Sequence, residues 1–174
     1  MLKRACVILL TTLALAGCDD DSPTAPSDPN VVVFTAQLSA QNEVPAITNA
    51  EANARGDVRI TFNLTRDAAN NITSATVNFV VNLNNFPNGA SWTRAHIHEG
   101  DPTIAGPVKI DTKLSPTTAI ALPNGSVSNQ QFTSDPVTDV TLINNIINNP
   151  ANFYFNAHTA LNANGAVRGQ LVKQ

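Results

Sequence analysis

The chain carries little cysteine, little charge and few aromatic rings. Of its 174 residues two are cysteine, one is tryptophan, one is tyrosine, and 13% are charged. Both cysteines, Cys6 and Cys18, fall within the first eighteen positions. Everything beyond them lacks a disulfide framework, a thiol nucleophile and a cysteine metal site. Phosphate-loop, Gly-x-Ser-x-Gly and His-Glu-x-x-His patterns are absent, which removes the chemistries those motifs carry. The 13 acidic residues are thinly spread, and no pair stands out as a glycosidase acid and base. Any core has to hold by apolar burial alone, which a chain of this length can achieve.

What is present begins with an export signal. Lys3 and Arg4 form a basic head, and Ala5 to Leu13 an apolar stretch. That stretch is shorter than the about 20 residues of a membrane-spanning helix and fits the apolar region of a secretory signal. Leu15-Ala16-Gly17-Cys18 follows and resembles the bacterial lipobox, where small residues admit a peptidase ahead of a lipid-bearing cysteine. Residues 1–17 are therefore expected to be a cleaved signal peptide and Cys18 the lipidation site, with several acyl chains holding the protein to a membrane. The expected location is the bacterial cell envelope, at the periplasmic face or the cell surface. Cleaving 17 of the 174 residues leaves 157, a size expected of one domain. It also removes two of the 10 basic residues against 13 acidic ones, giving a mature charge of about −5. That balance speaks against nucleic acid as a partner.

Residues 18–30 are rich in acid, proline and small polar residues and read as a flexible tether. From Val31 the pattern changes to short alternating runs: Phe34, Ala36, Leu38; then Val58, Ile60, Phe62, Leu64; then Val77, Phe79, Val81, Leu83. A period of two marks strands with one buried face. Further strands are expected near 91–97, 107–110, 118–122, 126–132, 152–159 and 166–172. Eight or nine short strands separated by turn signals predict an antiparallel sandwich or barrel over residues 31–174. One segment departs from this period. Val140, Ile143, Ile146 and Ile147 recur at three and four between Asp135-Pro136 and Pro150, predicting one short helix with Asp135 as its cap.

The candidate site comes from the three histidines. His96 and His98 share a strand face with Arg94, while Ala95 and Ile97 point to the core. In the run Phe153 to Thr159, Phe153, Phe155 and Ala157 form the apolar side, leaving Tyr154, Asn156 and His158 on the other. By the same parity Trp92 falls on the histidine side. If the two strands are neighbours, the imidazoles converge outside the apolar interior and suit copper or zinc. Glu43, Glu99 and Asp101 are the acidic groups available as an extra ligand or to orient a ring. The competing reading has the histidines bonding to loop carbonyls and a carboxylate. Arg168 is expected to pair with Glu99 or Asp101.

These residues also carry a resemblance. Phe34-Thr35-Ala36-Gln37-Leu38-Ser39-Ala40-Gln41-Asn42-Glu43-Val44-Pro45, Ala95-His96-Ile97-His98-Glu99-Gly100 with Gly106-Pro107-Val108, Tyr154-Phe155-Asn156-Ala157-His158-Thr159, and Asn164-Gly165-Ala166-Val167-Arg168-Gly169-Gln170-Leu171 stand in that order. Together they resemble the chordin-type, or CHRD, domain from about Val33 to Val172. Ala166 departs from the glutamate usual there. The resemblance implies an immunoglobulin-like or related Greek-key β-sandwich and a binding module without established chemistry. His96 to Asp101 also looks like the copper-ligand strand of copper–zinc superoxide dismutases, with Arg168 likened to their anion-attracting arginine. The chain has three histidines where those enzymes use at least four around copper, so a redox enzyme is the secondary expectation. A structural surface domain without a ligand is the third.

Overall fold

The computed structural model describes residues 28–174; the expected signal peptide and Cys18 lie outside the described residues. Ten strands are present among them: β1 (Val31–Ser39), β2 (Arg55–Arg66), β3 (Ile72–Asn84), β4 (Ala90–Glu99), β5 (Val108–Asp111), β6 (Ile120–Leu122), β7 (Val127–Thr133), β8 (Phe153–Thr159), β9 (Val167–Gln170) and β10 (Val172–Lys173). One α-helix, α1 (Val140–Asn148), interrupts them. Every pairing is antiparallel. The hydrogen-bonded path runs β5-β4-β8-β9-β1-β2-β3-β7, with β10 on β1 and β6 on β4.

The expected all-β sandwich with one helix is found, and its two layers are halves of a single curled sheet. Phe79 of β3 meets Phe155 of β8 with ring centroids 5.8 Å apart. Trp92 of β4 meets the edge strand β7 at Phe132, 5.2 Å away and edge-on. The alternating residues of β1, β2 and β3 all turn into the space between the halves and are buried. Each large apolar side chain so buried contributes about 1.5–3 kcal/mol.

Two expectations are corrected by the backbone. The helix starts at Val140, capped by Asp139, whose carboxylate accepts from the Leu142 N–H at 2.9 Å. Asp135 and Pro136 lie ahead of the helix and outside it, because Val137 bridges to Ala75 of β3. A residue committed to a sheet ladder cannot also enter a helical turn. Trp92 is fully buried in the core instead of lying on the histidine side. The register of β4 on β8 shifts between Trp92 and Arg94, and the extra residue reverses the parity of everything before it.

The last residues of the expected tether are docked to the domain. Arg66 donates to the Asn30 side chain at 3.1 Å and to the Pro29 carbonyl at 3.2 Å.

Candidate metal centre

β4, β8 and β9 lie side by side, pairing His96 with Asn156 and Asn156 with Arg168, and His98 with Tyr154 and Tyr154 with Gln170. Ala95, Ile97, Phe155 and Ala157 occupy the core face, so the polar residues between them stand together on the other. That second face is also covered. The segment after β1 crosses it, with Asn42 Nδ2 donating to the Arg168 carbonyl. The 100–106 loop is held over it by Arg168, which donates to the carbonyls of Ile104 and Asp101, both at 2.9 Å. His96, His98 and His158 are consequently at most 7% exposed.

The three rings converge as the strand parity predicted. Centroids lie 5.5 Å apart for His96–His98, 4.9 Å for His96–His158 and 5.7 Å for His98–His158. One donor nitrogen from each falls within 4.8 Å of the other two. Nitrogens about 2.0–2.1 Å from one tetrahedral zinc ion stand about 3.3 Å apart, so small side-chain rotations close the set.

The outer nitrogens fix the tautomers. His98 Nδ1 lies 2.9 Å from the Gly106 carbonyl and His158 Nδ1 lies 3.1 Å from the Ala163 carbonyl. A carbonyl only accepts, so both Nδ1 atoms carry the proton and both Nε2 atoms present lone pairs. The His98 Nε2 is buried without a hydrogen-bond partner. His96 Nδ1 donates to His158 Nε2 at 3.1 Å, while its own Nε2 is 3.8 Å from Asp111. Bonds from the remote ring nitrogen to carbonyls or carboxylates are how metal-bound histidines are oriented. The carbonyl contacts expected of a purely structural cluster are thus present; they leave His98 Nε2 free, and moving the His96 proton to its Nε2, beside Asp111, frees the His96 and His158 inner nitrogens as well.

Electrostatics keep the rings neutral. Burial pushes His158 down to about 4, reinforced by the neighbouring His96 and His98. Burial also lowers His96, partly opposed by Asp111, and lowers His98, partly opposed by its bond to Gly106. A neutral imidazole is the form that binds a metal.

The other expected site residues separate into two groups. Glu99 lies away from the rings, paired with Lys109 at 2.7 Å. The Asp101 carboxylate turns onto Thr103. Neither carboxylate reaches Arg168, which takes the backbone carbonyl of Asp101 instead. That guanidinium is 1% exposed and lies 3.6 Å over the Tyr154 ring. Glu43 does come to this face: it lies against Asn156 and lines a cleft of about 450 Å³ with Arg168 and Gln170. Burial raises Glu43 to about 7 despite the positive charge of Arg168 and a bond from Asn156. Asp111 was not anticipated, because the pairing of β5 beside β4 that brings it to His96 has no local signal.

A family profile described as the CHRD domain matches residues 34–171. No curated protein and no solved structure matches the chain.

Proposed function

The chain belongs to the CHRD domain family, and from that premise we propose that it is a non-catalytic binding module whose His96, His98 and His158 hold one copper or zinc ion. The observation that carries this is the buried, partnerless Nε2 of His98, aimed where two other imidazoles converge. A buried lone pair without a donor costs about 1–3 kcal/mol, and an ion shared by three neutral rings removes that cost. Imidazole donors suit copper and zinc.

The module is lipid-tethered to the bacterial cell envelope through Cys18, with residues 19–27 as spacer; the support is the basic head, apolar stretch and Leu15-Ala16-Gly17-Cys18 of the sequence. Changing Cys18 to Ser is expected to move the protein from the membrane fraction to the soluble one. Unchanged fractionation refutes the anchor.

A dismutase-type copper enzyme is the weaker reading. Arg168, the group that would attract an anion, is buried and committed to two carbonyls and the Gln170 side chain. Only three histidines are available. Equilibrium dialysis with copper and with zinc tests the proposal. One ion per chain is expected for the wild type, with binding at least about tenfold weaker for His96→Ala. Equal and negligible uptake by both leaves a structural domain without a metal.

A further inference from the structure

Three buried side-chain polar atoms among the described residues have no hydrogen-bond partner: His98 Nε2, Asn156 Oδ1 and Glu43 Oε1. The first belongs to the centre already described. The other two belong to residues that touch each other, and one of them stands beside the rings. Asn156 pairs directly with His96 across β4 and β8, which sets their Cβ atoms about 4.5–5.5 Å apart on one face. On β8 it also lies between Tyr154 and His158, two residues from each on that face, and it is 2% exposed.

The Asn156 side chain is held in one orientation. Its Nδ2 donates to Glu43 Oε2 at 3.5 Å. Glu43 Oε2 is the acceptor in this contact, so the amide nitrogen is turned to Glu43 and Oδ1 is left without a donor. Gly165 closes the cradle from above with φ +139°; a Cβ there would fall 2.6 Å from both Asn156 Nδ2 and Glu43 Oε2. No side chain fits between these groups and the loop that covers them.

His98 Nε2, His158 Nε2 and Asn156 Oδ1 thus present lone pairs on one buried face, with a single N–H, that of His96 Nδ1, among them. A set of acceptors so short of donors is complementary to a cation. We propose that Asn156 Oδ1 is the fourth donor of the tri-histidine centre and that Glu43 is the residue that positions it. This inference rests on the metal-binding reading above and specifies a three-nitrogen, one-oxygen set. Three imidazoles and a carboxamide oxygen form a neutral shell for a borderline divalent ion. Glu43 stays outside the shell and acts through its contact with the Asn156 amide.

The test uses the full chain, stripped with chelator and titrated with cobalt(II), whose visible spectrum reports coordination. The wild type is expected to bind one ion with tetrahedral intensity. Asn156→Ala is expected to weaken binding about tenfold or more and to lower the band intensity as water enters. Asn156→Asp keeps the shape and offers an anionic oxygen; it is expected to bind more tightly than wild type with a shifted spectrum. Glu43→Gln is expected to keep the spectrum, because its amide oxygen still accepts from Asn156, whereas Glu43→Ala is expected to move it toward that of Asn156→Ala. Should Asn156→Ala not fold, the Asp variant decides alone. A wild type that takes up no cobalt overturns the tri-histidine reading itself. A wild type that binds, with Asn156→Asp unchanged in affinity and spectrum, overturns only the role of Asn156.

Discussion

His98 lies flat against Tyr154, ring centroids 4.9 Å apart and planes inclined by 13°. The opposite face of Tyr154 carries the Arg168 guanidinium at 3.6 Å, so a candidate ligand, an aromatic ring and a buried cation are stacked in series. The Tyr154 hydroxyl accepts from the Gly106 N–H at 3.0 Å, and the Gly106 carbonyl in turn accepts from His98. The loop and the ligand ring are locked by one residue. Gly106 suits this close approach, since a Cβ there would meet the Glu99 carbonyl at 1.6 Å.

Tyr154→Phe is therefore expected to cost about 1–3 kcal/mol, leaving the Gly106 N–H unpaired while preserving the stack. Tyr154→Ala removes the stack as well and is expected to cost about 3–5 kcal/mol. Urea denaturation measures both. Two variants of equal stability would show that the ring adds nothing beyond its hydroxyl.

Arg168→Met and Arg168→Lys are both expected to destabilise the fold by about 2–4 kcal/mol. Methionine leaves the Ile104 and Asp101 carbonyls without their donor, and a lysine ammonium keeps the charge but cannot reproduce the planar fork that reaches both. Amide exchange over residues 100–106 is expected to accelerate in both. Lysine matching wild type in that loop would show that charge alone holds it.

Metal-free stability is expected to rise between pH 4 and pH 6.5. His158 has a folded value of about 4 against 6.5 unfolded, and His96 and His98 shift in the same direction. In that window the unfolded chain binds more protons, so stability is complete above 6.5 and is lost as pH falls toward 4. Glu43 acts oppositely: with its value raised from 4.5 to about 7, its contribution is present below 4.5 and fades as pH rises through 7. Glu43→Gln is thus expected to gain stability relative to wild type between pH 5 and pH 8. Urea midpoints across that range, in chelator, show it; a constant difference between the two proteins would remove the charge argument.

Gly165→Ala is expected to weaken cobalt or zinc binding and to destabilise the domain by about 1–3 kcal/mol, because its φ is left-handed and its new methyl displaces Asn156 and Glu43. Leu161→Ala, in the same loop but 57% exposed, is the control and is expected to change neither.

Trp92 shows where local reading stopped. Strict alternation placed it with the histidines, yet a bulge at Thr93 moved it to the core against Phe132. Asp135 likewise looked like a helix cap until Val137 was claimed by the sheet. Glu99 and Asp101 are near the histidines in sequence and apart from them in space, whereas Glu43, more than fifty residues earlier, reaches the same face.

The strand faces, the apolar interior, the CHRD pattern and the turning of all three histidines away from the core are legible in the residues alone. Those are consequences of residue order and a two-residue period, which act over a few positions. That β4 and β8 are neighbours, that loops bury their outer face, and that Asp111 and the pairing of Asn156 with His96 complete the surroundings of the rings emerged from the folded chain. Such pairings join residues as far apart as Trp92 and Thr159, and the free energy that selects them comes from the packing of the whole sheet, which no short stretch of chain contains.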